Sequence, residues 1–397
     1  MKRLIRILLV ASLLLPLGGC WDISAPVEPI LVNLIAVSWQ KGIYRVAVES
    51  VVPRLFTSGG ASMGGGGQAG PAPVWLLKGQ GATVLAALGQ AGLDLSDELL
   101  LSHMRFLILD RSVLQPVAWR GMEDSLLRYP PLRQNFLVFL AQGPADKVAG
   151  ATNPVGAYPG EALLRAAELS ASNGGIIIRT FYQVEEDLFN VPFEPSFVPM
   201  VAAQPAPPPD KGYHFSFPGE AILYHDNLAG ILRNDQVATW ALLTNAASEN
   251  VTATPSLHVI NNSERLGATV QGAKTRIEWQ KGHINVQEKL VVTISHYDTL
   301  GKGPQSSSTI PPNAILAATL AQEVVREDLK LIHWSQKHRL DILGVGGELA
   351  RDKPGWIKAE SATWPQQYAQ ASVSLKVQVK VRDEGNLVLP GAENPGG

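Results

Sequence analysis

The chain has 397 residues, of which 17% are charged, with a formal net charge of −2 and a single cysteine. There is no basic excess to serve nucleic acid and no acidic run to form a solvated tail, and a lone thiol excludes an internal disulfide. About 377 residues follow the N-terminal leader described next, more than one typical core holds, so two or more domains are expected.

Lys2, Arg3 and Arg6 precede an apolar run from Ile7 to Leu15, then Pro16, Leu17, Gly18, Gly19 and Cys20. A charged start, a short apolar stretch and small residues at its end make a secretory signal peptide. The run falls short of the roughly 20 apolar residues that a membrane-spanning helix needs. Leu17, Gly18 and Gly19 ahead of Cys20 resemble a bacterial lipobox, which makes Cys20 the expected lipid attachment site. Each buried CH₂ of an acyl chain contributes about 0.8 kcal/mol, and two chains give durable anchoring where one does not. The expected location is the outer face of the cytoplasmic membrane.

Beyond the leader, 34–39 and 43–52 read as two strands around Gln40-Lys41-Gly42. Residues 58–70 (SGGASMGGGGQAG) have no periodicity and read as a flexible loop. A strand is expected over 74–77, with Gly79-Gln80-Gly81 turning into a helix at 83–90. Then come a strand at 104–109, a helix at 117–128, a strand at 136–141 and a helix at 161–172 whose apolar side is Leu163, Leu164, Ala167 and Leu169. Glu185, Glu186 and Asp187 read as a solvated face. The proline-rich stretch 202–212 (AAQPAPPPDKG) suits neither helix nor central strand and marks the main boundary.

Past it, 215–224 and 228–232 read as a hairpin around His225-Asp226-Asn227. Asn234 or Asp235 caps a helix to Thr244. Strands are expected at 274–280, 284–286 and 289–297, with Lys281-Gly282 as a turn. Asn313 caps a long helix to about Lys337, with Ile315, Leu316, Leu320, Val324, Leu331 and Trp334 on one side. On its surface Glu323 faces Arg326 and Glu327 faces Lys330. Val373, Leu375, Val377, Val379 and Val381 alternate with polar residues, the pattern of a strand with one wet face, usual in antiparallel sheets. The fold class is α+β: a multi-lobed body with mixed and antiparallel sheets flanked by helices, including the long helix near 313–337. The layout is 1–19 signal peptide, 20–201 N-terminal α+β region, 202–212 proline-rich linker or loop, 213–390 C-terminal α+β domain and 391–397 disordered tail.

No catalytic constellation assembles. Gly60-Ala61-Ser62-Met63-Gly64 matches G-x-S-x-G, but that motif works on a sharp strand-to-helix turn, and no helix follows here. The glycines of KGQGAT lack a following Gly-Lys-Ser/Thr and the third dinucleotide glycine. Those of LGVGGEL read as a turn. His333 and His338 are five apart, on different helix faces, and no zinc pattern accompanies them. His103, beside a strand, reads as a packed or hydrogen-bonded histidine. Lys376, Lys380 and Arg382 read as an ordinary wet strand face, with anionic lipid headgroups as the alternative. No catalytic residue, metal or cofactor is therefore expected. A receptor or complex subunit is favoured over a solute-binding lipoprotein of a transport system, which would show two doubly wound lobes.

Several stretches resemble one family in order along the chain. Gly19-Cys20-Trp21-Asp22 resembles a GCWD signature. LLSHMRFLILD (100–110) resembles a helix–SH–strand segment, and GEAILYHDNLAGILRNDQVATWALLTN (219–245) a G-x-A-x-F hairpin with its following helix. Asp341-Ile342-Leu343-Gly344-Val345-Gly346 is similar to a D-x-x-G-x-G motif after the long helix, and Trp364 fits ahead of the terminal strand. The family is that of the spore germinant receptor C-subunit lipoproteins, of Ger(x)C type. Pro26 and Pro29 flanking Glu28, the glycine-rich loop and the Pro205–Pro209 run depart from its pattern. The resemblance implies a non-enzymatic lipoprotein on the inner membrane of the spore. Its implied partners are a polytopic A and a transporter-like B membrane subunit, and its implied role is nutrient-triggered germination.

Overall fold

Lys41 and Gly42 both take positive φ, 52° and 82°, as the type I′ turn of a tight hairpin requires. They join β1 (Ile30–Gln40) to β2 (Ile43–Val51) in antiparallel register from Leu31↔Val51 to Gln40↔Ile43. The computed structural model describes residues 30–51, 74–93, 95, 99–151, 158–190, 194–208, 212–246, 256–260, 264–299, 311–353, 355–356 and 360–382. Cys20, Ser62 and the 58–70 segment lie outside them.

β3 (Val74–Gly81) pairs with β2 and runs further than the sequence implies. Gly79 and Gly81 belong to it, and the turn follows them at Ala82-Thr83. Their glycine identity has a steric cause. A Cβ at Gly79 would lie 2.1 Å from the Ala87 carbonyl oxygen, and one at Gly81 2.6 Å from the Ala87 amide nitrogen. Helix α1 (Val84–Ala91), capped by the Thr83 hydroxyl, rests directly on the strand.

The chain then forms β4 (Leu99–Leu100), β5 (Phe106–Leu109), α2 (Pro116–Leu127), β6 (Leu137–Ala141), α3 (Ala145–Ala149), α4 (Pro159–Ser172), α5 (Phe181–Asn190) and β7 (Ser196–Pro205). After the proline-rich segment come β8 (Tyr213–Ser216), β9 (Gly219–Tyr224) and β10 (Asn227–Arg233). These strands make one ten-stranded mixed sheet, β10-β9-β7-β6-β5-β1-β2-β3, with β4 beside β1 and β8 beside β7. The sheet crosses the proline-rich run: β8 and β9 both pair antiparallel with β7. One face is buried by α1, α2 and α5 around Trp119, Phe136 and Phe181; the other carries α3 and α4 around Phe106, Phe139 and Leu163. On α4, Leu163 and Ala167 are buried as expected, whereas Leu169 is 65% exposed.

The second sheet holds β11 (Ser256–Ile260), β12 (Glu264–Gln280), β13 (His283–Thr299) and β14 (Ser372–Arg382), in that order. Lys281 and Gly282, φ 46° and 84°, make the β12–β13 turn. β14 alternates as its sequence says, but it pairs parallel to β13, Ile284↔Val373 through Thr293↔Arg382. Its valines are half-buried. A parallel neighbour needs a crossover, supplied here by α7 (Asn313–His338), α8 (Val345–Asp352) and α9 (Trp364–Gln370). Leu316, Leu320, Val324 and Leu331 of α7 are buried against the sheet, while Ile315 is 55% exposed. The expected surface pairs Glu323–Arg326 and Glu327–Lys330 are formed. The core of this sheet continues into the first through Phe197 of β7, whose ring stacks 3.9 Å from Trp240 on α6 (Asn234–Leu243).

Candidate functional site

The residues that join the two sheets converge on the start of α8. Asp341 follows α7 and is completely buried. Its carboxylate accepts Val345 N–H at 3.2 Å, Gly346 N–H at 2.7 Å and the Trp364 indole N–H at 2.9 Å. Gly344, at φ 69°, turns the chain so that these amides point back at it. The first amides of a helix have no partner within it and carry partial positive charge, so a carboxylate there is both acceptor and counter-charge. The glycines of LGVGGEL thus serve a helix start, and the D-x-x-G-x-G pattern is its capping device.

A second carboxylate reaches the same turn from the other sheet. Glu194, just ahead of β7, accepts the Gly347 amide, and a Cβ at Gly347 would lie only 1.7 Å from Glu194 Oε1. Burial pushes Glu194 up to about 7, helped by the Asp341 charge and opposed by Arg351. Burial likewise pushes Asp341 up to about 6, against the pull of its hydrogen bonds. Nearby, the Trp240 indole donates to the Ile342 carbonyl at 2.8 Å. Trp364 is enclosed by Trp279 and Trp356, with centroids at 4.9 and 5.1 Å.

A run of other buried acids ties elements together. Glu220 of β9 accepts the Ile177 amide at 2.6 Å, and burial pushes it up to about 8, with Arg179 opposing. Arg179 pairs with Asp187, which also accepts the Ser196 hydroxyl at 3.1 Å. Glu49 of β2 takes the Gly160 amide at the start of α4 and the Asn33 side chain, both at 3.3 Å, and burial pushes it up to about 7. Glu185 of α5 is buried facing Glu123 of α2, which corrects the reading of 185–187 as a solvated face: only Glu186 is exposed. Packing α5 between α2 and β7 overrides the polarity of its sequence. Glu288 of β13 and Asp328 of α7 face one another in the second core.

The other sequence candidates lie apart. His103 is exposed on a single turn at Leu101–His103, not packed against the strand. His333 and His338 are exposed on α7, and His338 Nδ1 donates to the Trp334 carbonyl at 2.7 Å. Among the described residues no group of three or more His, Cys, Asp or Glu is arranged to hold a metal, and no helix is long and apolar enough to cross a membrane. An open cleft of about 620 Å³ lies beside β1–β3, with Arg45, Lys78, Gln80 and Asp146 at its wall. Lys78 and Asp146 close on each other there at 2.7 Å. Asp341 and Trp364 were legible only through the family motifs. Nothing in the sequence marks Glu194, Glu220 or Glu49 as buried.

Two family models match consecutive parts of the chain. The spore germination protein N-terminal domain covers residues 30–202, and the spore germination B3/GerAC-like C-terminal domain covers 219–385. The chain belongs to the spore germination proteins of GerAC type. Among curated relatives, YfkR of Bacillus subtilis (strain 168), provisionally named a spore germination protein, is 22% identical over 97% of this chain and 98% of its own. Spore germination protein KC of the same organism is 19% identical over 97% and 96%. The crystal structure of the GerBC protein matches with a TM-score of 0.51 at 12% identity, covering 87% of this chain and 96% of that one. The GerAC-type family is that of the receptor C subunits, and the α+β architecture is the one GerBC shares. The two family models meet between 203 and 218, where β7 and β8 pair across the proline-rich run.

Proposed function

We propose that this GerAC-type chain is the lipid-anchored C subunit of a spore nutrient-germinant receptor, working by assembly with polytopic A and transporter-like B membrane subunits and not by catalysis. The observation that carries the reading is the ordered match of both family domains along one chain, 30–202 and then 219–385. The leader and Cys20 support an anchor at the outer face of the cytoplasmic membrane, which becomes the inner membrane of the spore. The buried carboxylates support a structural role, because each described one is spent on a helix start, a backbone amide or a facing acid.

Deleting the gene abolishes the response to the cognate nutrient while other receptors still fire, and the mature protein carries diacylglycerol on Cys20. Mass spectrometry of the mature chain reads the second point directly. A free Cys20 thiol there overturns the anchor, and an unchanged nutrient response in the deletion strain overturns the receptor role.

A further inference from the structure

The outward face of the second sheet carries a charge that the chain as a whole does not. Where β12, β13 and β14 run side by side, over 272–280, 283–293 and 372–382, Lys274, Arg276, Lys289, Lys376, Lys380 and Arg382 are exposed on that face. The one acid among them is Glu278, paired with Arg276 at 2.7 Å. The full chain has a net charge of −2, so this positive field is local. Among the described residues the other five cations form no ion pair.

The arrangement has an energetic cost. Lys274 and Lys289 are direct cross-strand partners, and like charges directly opposite each other destabilise a sheet. Lysines on β14 alone would be explained as guards of an open sheet edge. Among the described residues β12 is itself open beside Lys274, since β11 pairs with it only over Arg265–Thr269. Lys289, however, sits on β13, paired with β12 on one side and β14 on the other, where no edge needs guarding. Their neighbours on the face are mostly small or polar side chains, Asn285, Gln287, Thr293, Ser374 and Gln378, with Val291 the one aliphatic among them. No Phe, Tyr or Trp projects from it, whereas protein–protein contacts are enriched in aromatic residues and depleted in lysine at their centres. A largely hydrophilic face with six cations and one acid suits a laterally mobile layer of phosphate anions.

We propose that this face docks on anionic phospholipid headgroups and lays the second sheet against a membrane surface. The inference stands on the charge pattern and not on the Cys20 anchor, and its test leaves the anchor out, so the two fail separately.

The mature chain, residues 20–397 without the apolar leader and carrying Cys20→Ala, is sedimented with vesicles of phosphatidylcholine alone and of phosphatidylcholine mixed with phosphatidylglycerol. It partitions onto the anionic vesicles and is released by added salt. Each basic residue near an anionic surface contributes about a factor of five, so Lys376→Gln with Lys380→Gln lowers that partition roughly thirtyfold. Lys376→Arg with Lys380→Arg keeps it. A second pair, Lys274→Gln with Lys289→Gln, gives the same loss while its melting temperature holds or rises, which separates the effect from misfolding. Equal partition of parent and both glutamine pairs overturns the proposal. So does equal binding to neutral vesicles, or binding to polyglutamate without binding to vesicles, which would mark an acidic protein partner instead.

Discussion

Glu194, from the segment entering the first sheet, and Asp341, from the end of the long helix, bring two carboxylates to one helix start: Asp341 holds Val345 and Gly346, and Glu194 holds Gly347. The contact crosses between the two sheets, so whatever loosens it loosens their junction. Both acids are held above their ordinary ranges, to about 7 and about 6, first of all by burial.

Such a pair sets a pH dependence whose sign is fixed. In the unfolded chain these carboxyls ionise at their ordinary values near 4, while in the folded chain they hold protons longer. The folded state therefore binds more protons between about pH 4 and 7, and stability falls as pH rises through that window. Their contribution is complete below pH 4 and is lost by about pH 7. Glu194→Gln keeps an acceptor for Gly347 and removes one ionisation. Its expected effect is a gain on the order of 2 kcal/mol at pH 8 and almost none at pH 4. Urea unfolding at the two pH values reads the difference, and an equal shift at both refutes the assignment.

Trp364→Phe removes the indole donor from Asp341 without removing the ring from the aromatic cluster. A hydrogen bond to a charged group contributes about 1.5–3 kcal/mol, and the smaller ring leaves a void. The loss is larger at pH 8 than at pH 5, because a carboxylate with one donor fewer is costlier to ionise. Denaturant midpoints at both pH values check the size and the order.

Two glycines of one strand–helix unit behave oppositely. Gly79→Ala places a methyl against the backbone of α1, at 2.1 Å from the Ala87 carbonyl oxygen. The helix must lift from β3, and the melting temperature drops. Gly89 lies within α1 with nothing within 4 Å of an added Cβ, so Gly89→Ala stabilises by about 0.5–1 kcal/mol through helix propensity alone. A matched pair of thermal melts decides it, and a gain in both variants would disprove the close approach.

What the sequence discloses follows from how local each signal is. The hairpin over 30–51 and the turn end of that over 264–299 were legible because alternation and a Lys-Gly turn are both written within a few residues; the start of β12 before Lys274 and the continuity of β13 through Gln287 and Glu288 were not. The direction of β14 was not, since its parallel pairing depends on a crossover of three helices. The proline run read as a boundary, yet its flanks pair antiparallel in one sheet from Pro205↔Tyr213 to Ala202↔Ser216, because prolines are tolerated at a strand end and in the connection between two strands. Glu185 looked solvated because its neighbours are acidic; only the packing of α5 against α2 and β7 buries it. Asp341 and Trp364 were visible as family motif positions, but their shared hydrogen bond joins residues 23 apart, and their other partner, Glu194, carries no local mark.

The last prediction concerns Glu288 and Asp328, which face each other between β13 and α7 at 0% and 1% exposure. Among the described residues no other group donates to either Glu288 oxygen or to Asp328 Oδ2. The donor the pair needs is a proton of its own, held on one of the two carboxyls. Burial, then the neighbouring acid, raises Asp328 far above its usual range, and burial raises Glu288 as well. Since the folded state keeps a proton that the unfolded chain has released, stability declines with a slope of about 1.4 kcal/mol per pH unit per proton above the ordinary carboxylate range. Asp328→Asn replaces the titrating donor with a permanent amide donor to Glu288 of nearly the same shape. The variant should match the parent near pH 5 and unfold at higher denaturant than the parent at pH 9. Asp328→Ala leaves Glu288 buried without any donor and should lose stability at both. If Asp328→Asn tracks the parent across the whole range, or loses more stability at pH 9 than at pH 5, the long helix is not held to its sheet by a shared proton.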